Sequence, residues 1–215
     1  MVRLFVFDLD GTLVDSARDL ADSANLLLES CGARPLRTDA IARMIGEGAA
    51  LLVARAFEAA GLVPPPNALE QFLDFYDTHL LEHTRPYDGI AEVLERLGRR
   101  ASLAVLTNKP LAASRRILTG LDLARHFPPE AVLGGDGPFP RKPDPAGLRH
   151  LATQAGVEAN QMLLVGDSVI DWRTAHRAAV RVCLARYGFG FQTVPVGDLR
   201  GDEHLIDAPS ELLTL

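Results

Sequence analysis

The chain has 215 residues, 47% hydrophobic and 23% charged; this suits a soluble globular protein with one good core, or a core and a smaller domain. Its formal net charge of −6 gives no electrostatic reason to expect nucleic acid or an anionic membrane as partner. No apolar run approaches the roughly 20 residues of a membrane-spanning helix, and Asp8 interrupts the amino-terminal segment too early for a signal peptide. Cys31 and Cys183 lie far apart without ligand spacing, so neither zinc nor a disulfide framework is implied. The expectation is a cytoplasmic protein, monomer or homodimer, with both cysteines reduced in its core. Lys109 and Lys142 are the only lysines; arginine supplies the rest of the 22 basic residues.

Leu4 to Phe7 form an unbroken apolar run, the pattern of a strand buried on both faces. The run stops at Asp8-Leu9-Asp10-Gly11-Thr12. Ser16 is placed to cap a helix with Asp19 in its first turn, where a carboxylate suits the helix dipole. Leu20, Ala24, Leu27 and Leu28 recur at helical spacing before Gly32. Further helices are expected from Thr38 through Met44, over 49–60, and through Leu69, Phe72, Tyr76 and Leu80. Nothing between Ser16 and Arg85 reads as a strand. From Tyr87 onwards helices alternate with short apolar strands at 101–106, 131–133, 162–165 and 181–185, with a last short strand near 204–207 and a terminal helix near 209–213. Alternation of this kind specifies right-handed crossovers and a parallel sheet. The expected architecture is a doubly wound, Rossmann-like α/β core of residues 1–15 and 86–215, with an inserted α-helical cap of residues 16–85.

Each strand is followed by polar residues. The first ends in Asp8 and Asp10, the second in Thr107, Asn108 and Lys109; Lys142 follows the third, and the fourth ends in Asp167 with Asp171 one helical turn on. In a parallel sheet these ends share one edge, where ligands bind. Taken alone, Asp8 and Asp10 fit either turn capping or a cation site. Several carboxylates sharing one pocket repel each other, and a hard divalent cation such as Mg²⁺ relieves that repulsion. Lys142, Thr107 and Asn108 suit phosphoryl oxygens, so the set as a whole fits phosphoryl transfer.

Phe7 to Ser16, Thr107-Asn108, Lys142-Pro143 and Gly166 to Asp171 resemble, in order, the four motifs of the haloacid dehalogenase superfamily, over the whole chain. The stretch from Arg43 to Gly48 with Leu51, Leu52 and Val53, the Thr107-Asn108-Lys109 run and the Tyr187-Gly188-Phe189-Gly190 turn are similar to phosphoglycolate phosphatases. The resemblance implies Mg²⁺-dependent hydrolysis of a small phosphorylated metabolite, with 2-phosphoglycolate the leading substrate. Asp8 would be the nucleophile that becomes an aspartyl-phosphate, and Asp10 the general acid and base. Asp8, Asp167 and the backbone carbonyl of Asp10 would hold the metal, and Asp171 would orient Lys142 or water on the metal. Thr107, Asn108 and Lys142 would bind the phosphoryl group. Rival readings are a phosphatase for another small phosphoester or pyrophosphate, a sugar-phosphate mutase, or a non-catalytic phospholigand-binding protein.

Other residues read more plainly. Lys109 is expected to be a solvated loop charge, Trp172 a packing residue, and His79 and His83 part of a solvated helix face. Gly46-Glu47-Gly48 is either a connector or a loop that touches substrate, and Arg18 and Arg43 are surface charges unless they meet a substrate carboxylate. Three positions depart from the family pattern: Val180 and Asp88, which touch turns, and Asp144, which adds negative charge beside Lys142.

Overall fold

The computed structural model describes residues 1–215. In chain order, β1 is Leu4–Phe7, β2 Val14–Asp15, α1 Ala17–Ser30, α2 Thr38–Ala42, α3 Ala49–Ala59, α4 Ala68–His79 and β3 Arg85–Pro86. There follow α5 (Ile90–Gly98), β4 (Ser102–Leu106), α6 (Leu111–Gly120), β5 (Val132–Leu133), α7 (Ala146–Ala155), β6 (Met162–Gly166), α8 (Val169–Ala178), β7 (Arg181–Ala185) and β8 (His204–Ile206). The expected terminal helix is a 3-10 helix over Pro209–Thr214.

Six of the strands form one sheet in the order β5-β4-β1-β6-β7-β8, with every neighbouring pair parallel. Chain order reverses across β1: the next sheet strands, β4 and β5, lie on one side of it and β6 to β8 on the other. This puts the carboxyl end of β1, and so Asp8, at the crevice where open α/β sheets bind ligands. Side chains alternate by face. Phe5 and Phe7, Leu103 and Val105, Leu163 and Val165 enter one apolar cluster; Leu4 and Val6, Ala104 and Leu106, Met162 and Leu164 enter the other. A strand that must be apolar on both faces produces the unbroken run seen in the sequence.

The larger cluster also takes in Leu20, Leu27, Phe57, Phe72 and Tyr76 from the helices inserted between β2 and β3. Those helices form an α-helical cap joined to the core by one continuous apolar body. The connection is a two-stranded antiparallel ribbon, Val14 opposite Pro86 and Asp15 opposite Arg85, too short for any periodicity to announce it.

The start of α1 differs from expectation. The Ser16 hydroxyl makes no cap; it donates to Asp10 Oδ1 at 2.5 Å. The Asp19 carboxylate is buried and accepts from the backbone N–H groups of His83 and Thr84 and from the Thr84 hydroxyl, at 2.7 to 3.0 Å. It therefore fastens the end of the cap to its beginning, a long-range partnership that local spacing cannot reveal. Cys31 is exposed rather than in the core, whereas Cys183 is buried. At the end of α8 the left-handed residue is Ala179, with φ of 56°, and Val180 is buried behind it. No helix is long and apolar enough to cross a membrane.

Candidate active site

The strand ends converge as parallel topology requires. Asp8, Asp167 and Asp171 are buried, and each offers a carboxylate oxygen within 4.8 Å of the others. Lys142 Nζ lies among them, 2.9 Å from Asp8 Oδ1 and 2.6 Å from Asp171 Oδ1, with its side chain 1% exposed. Asp171 is fixed from behind, since Oδ2 accepts from the Ser168 hydroxyl at 2.6 Å and the Ser168 N–H at 3.1 Å. Those two residues form the capping box of α8, so helix initiation and the orientation of Lys142 are one structural feature.

Burial and mutual repulsion raise the acids. The Asp8 carboxyl is pushed to about 7, by burial first and then by Asp171 and Asp10, against the pull of Lys142. Burial, with Asp171 and Asp8, also drives Asp167 well above the ordinary carboxylate range. Lys142 is raised: burial works against its charge, and the Asp171 and Asp8 carboxylates outweigh burial. Three buried carboxylates facing one lysine are short of positive charge. An all-oxygen set in that condition fits a hard divalent cation.

Asp167 sits in a glycine cradle. It accepts from Gly190 N–H at 2.7 Å and from the Thr12 hydroxyl at 3.5 Å. A Cβ at Gly11, where φ is +85°, or at Gly188 or Gly190 would collide with its carboxylate. The Tyr187-to-Gly190 turn, read from the sequence only as a likeness, is thus required by close approach of backbone to acid.

Asp10 faces the other way, out of the acidic cluster. Its two carboxylate oxygens meet Lys109 Nζ at 3.0 and 2.9 Å. The expectation of a solvated Lys109 is wrong: its side chain is 4% exposed, pairs with Asp10, and stands 4.6 Å from the centroid of the Tyr76 ring. Burial opposes its charge, but Asp10 outweighs burial and raises it. One available signal was composition: a chain with only two lysines puts both beside its acidic strand ends.

Thr107 is buried at the same edge, its hydroxyl accepting from Lys109 N–H at 3.2 Å. The Asn108 amide donates to Gly46 O at 3.0 Å and Lys142 O at 2.9 Å, spending its two protons on a tie between the cap loop and the Lys142 loop. The Arg43 side chain donates to Gln192 Oε1 at 3.1 Å and Arg18 pairs with Asp22 at 3.5 Å. Neither lines the cavity that opens over Asp8 and Asp10. Asp144 accepts from Ala146 N–H at 2.8 Å, at the start of α7. Trp172 packs on His176 and donates to Glu203.

That cavity, about 290 Å³, lies between the sheet edge and the cap. Gly46 and Gly48 line it, as do Leu20, Ile45, Leu52 and Phe72, which make its cap side mainly apolar.

A sequence model of haloacid dehalogenase-like hydrolases matches residues 5–185. A phosphoglycolate phosphatase of Rhodospirillum rubrum is 44% identical over 90% of this chain and 83% of its own length. A plasmid-encoded phosphoglycolate phosphatase of Cupriavidus necator is 35% identical over 98% of this chain and 91% of its own. Among solved structures, a protein of Haemophilus somnus described as a predicted phosphoglycolate phosphatase superposes with a TM-score of 0.90 at 32% identity, covering 99% of this chain and 97% of that one. The chain belongs to the haloacid dehalogenase-like hydrolase family, as a phosphoric monoester hydrolase.

Proposed function

We propose that this phosphatase is Mg²⁺-dependent, that it acts through an aspartyl-phosphate on Asp8, and that its substrate is 2-phosphoglycolate. The observation that carries the chemistry is the buried group of Asp8, Asp167, Asp171 and Lys142, which reaches the cavity under the cap through Asp8. The names of the relatives at 35–44% identity support the substrate.

In this reading Asp8, Asp167 and the backbone carbonyl of Asp10 hold Mg²⁺, which neutralises phosphoryl charge when bound. An Asp8 carboxylate oxygen attacks phosphorus while the bond to the leaving oxygen breaks, and Asp10 gives that oxygen its proton. Asp10 then takes a proton from the water that attacks the aspartyl-phosphate, releasing phosphate and restoring Asp8. Lys142, held by Asp171, meets the phosphoryl oxygens together with the Thr107 hydroxyl. Asn108 supports both loops around the phosphoryl group. The division into a core of residues 1–15 and 86–215 and a cap of residues 16–85 belongs to the same proposal, as does cytoplasmic residence.

The test is phosphate release from a panel of 2-phosphoglycolate, other small phosphoesters, pyrophosphate and hexose phosphates, each with Mg²⁺ and with EDTA. Preference for 2-phosphoglycolate, lost with EDTA, is expected. Equal turnover across the panel would contradict the substrate, and phosphoryl return to a hexose phosphate would replace hydrolysis by mutase chemistry.

A further inference from the structure

Lys109 holds Asp10, but the side it turns to Tyr76, and the Tyr76 hydroxyl itself, have no part in the phosphoryl chemistry described above. Lys109 leads out of β4 on the core, and Tyr76 lies on α4 of the cap, so the pair faces across the cavity. An ammonium has three donors; Lys109 directs its charge at the two Asp10 oxygens and retains a donor toward the Tyr76 side. The Tyr76 hydroxyl is buried with no hydrogen-bond partner. A buried hydroxyl without a partner costs free energy, and this one borders a space sized for a metabolite. Lys109 is the only cation lining the cavity; the other charged lining residues are Asp8, Asp10, Asp74 and Asp77.

Chemistry fixes what such a pair would meet. If Asp10 protonates the leaving oxygen, that oxygen lies against the carboxyl group that Lys109 touches. In 2-phosphoglycolate the carboxylate begins two bonds beyond the leaving oxygen. We propose that Lys109 Nζ and the Tyr76 hydroxyl form the subsite that receives the carboxylate of the leaving group and select short anionic phosphoesters over neutral ones. This rests on the substrate reading above and gives it specific residues. It also explains why neither Arg18 nor Arg43 lines the cavity: the carboxylate is read by a lysine from the core and a tyrosine from the cap, so only the assembled pair completes the subsite.

The test uses 3-phosphonopropionate, in which a methylene replaces the bridging oxygen of 2-phosphoglycolate, against n-propylphosphonate, which lacks the carboxylate. Binding of each to the Mg²⁺-loaded protein is measured by calorimetry for wild type, Lys109→Met and Tyr76→Phe. Wild type is expected to prefer the carboxylated ligand. Lys109→Met should reduce that preference about 30- to 100-fold and Tyr76→Phe about 5-fold, as expected for a charged and a neutral hydrogen bond. Because the chain has two lysines, lysine-selective NMR of wild type gives a second reading: the Lys109 ammonium signal should move with 3-phosphonopropionate and stay with n-propylphosphonate. If wild type prefers 3-phosphonopropionate, yet Tyr76→Phe and Lys109→Met keep the preference and the Lys109 signal does not move, the subsite is wrong while the substrate stands. If wild type shows no preference, the substrate reading falls and the subsite falls with it.

Discussion

The two walls of the cavity are built on opposite terms. The sheet edge concentrates charge: Asp8, Asp167, Asp171 and Lys142 are buried together, each partnered within a few ångströms. The cap wall is mainly apolar, with the Tyr76 hydroxyl buried there without a partner and Gly46 and Gly48 bringing backbone close to Asn108 and Arg141. A crowded electrostatic floor performs one reaction on whatever phosphoryl group it receives. A sparse cap wall leaves selection of the rest of the molecule to very few atoms. Changes on the floor are therefore expected to alter kcat by orders of magnitude, and changes on the cap side to alter preference or stability.

The largest effect belongs to Asp8. Asp8→Asn should lower kcat by on the order of 10⁴-fold or more, since no other group can take up the phosphoryl unit. The same substitution should raise the melting temperature of metal-free protein, because it removes a charge the fold disfavours. The sign follows from a folded-state value of about 7 against 3.8 for an ordinary Asp carboxyl in water. Folding favours the protonated acid, so Asp8's contribution to stability is fully present below pH 3.8 and is lost as pH rises towards 7. Thermal melts in EDTA between pH 5 and 8 should show a shallower decline for Asp8→Asn than for wild type, and Mg²⁺ should raise the wild-type melting temperature most at the alkaline end. Equal slopes would separate Asp8 from the electrostatic strain of the floor.

One step out, Asp171→Asn leaves the nucleophile intact but weakens the grip on Lys142, and should cost about 10- to 100-fold in kcat. A comparable loss confined to KM would place Lys142 in ground-state binding alone.

Much of the floor was legible because each of its residues follows an apolar run, and parallel topology turns strand ends into neighbours. The same logic reached Thr107 and Asn108, although it missed that the Asn108 protons are spent on Gly46 and Lys142 carbonyls. Strand periodicity gave the sheet for the same reason: β1, β4, β6 and β7 are each apolar on both faces. What was not legible depends on partners far away in sequence. Ser16 has the look of a cap and instead donates to Asp10; Asp19 has the look of a first-turn acid and instead ties down residues 83 and 84. Lys109 has the look of a loop charge until folding lays Asp10 and Tyr76 beside it. Local patterns carry the period of an element but not the identity of the residue across a cavity.

The Asp19 contact that fastens the end of the cap to its beginning gives the corresponding test on the cap side. Asp19→Ala should cost about 3 kcal/mol by removing the partner of the His83 and Thr84 backbone donors and of the buried Thr84 hydroxyl, a fall in melting temperature of about 6–12 °C for a chain of this size. At a temperature where the variant is folded, its kcat should drop far less than that of Asp171→Asn. The reverse order would show that cap attachment, rather than floor charge, limits the reaction.

The proposed hydrolysis requires a covalent bond between phosphorus and Asp8. Wild-type protein mixed with 2-phosphoglycolate carrying a labelled phosphoryl group, and quenched in acid within one turnover, should retain label on the peptide containing Asp8 when Mg²⁺ is present. It should retain none with EDTA or with Asp8→Asn. Label on a different peptide, or phosphate released by the Asp8→Asn variant at a rate near that of wild type, would contradict it.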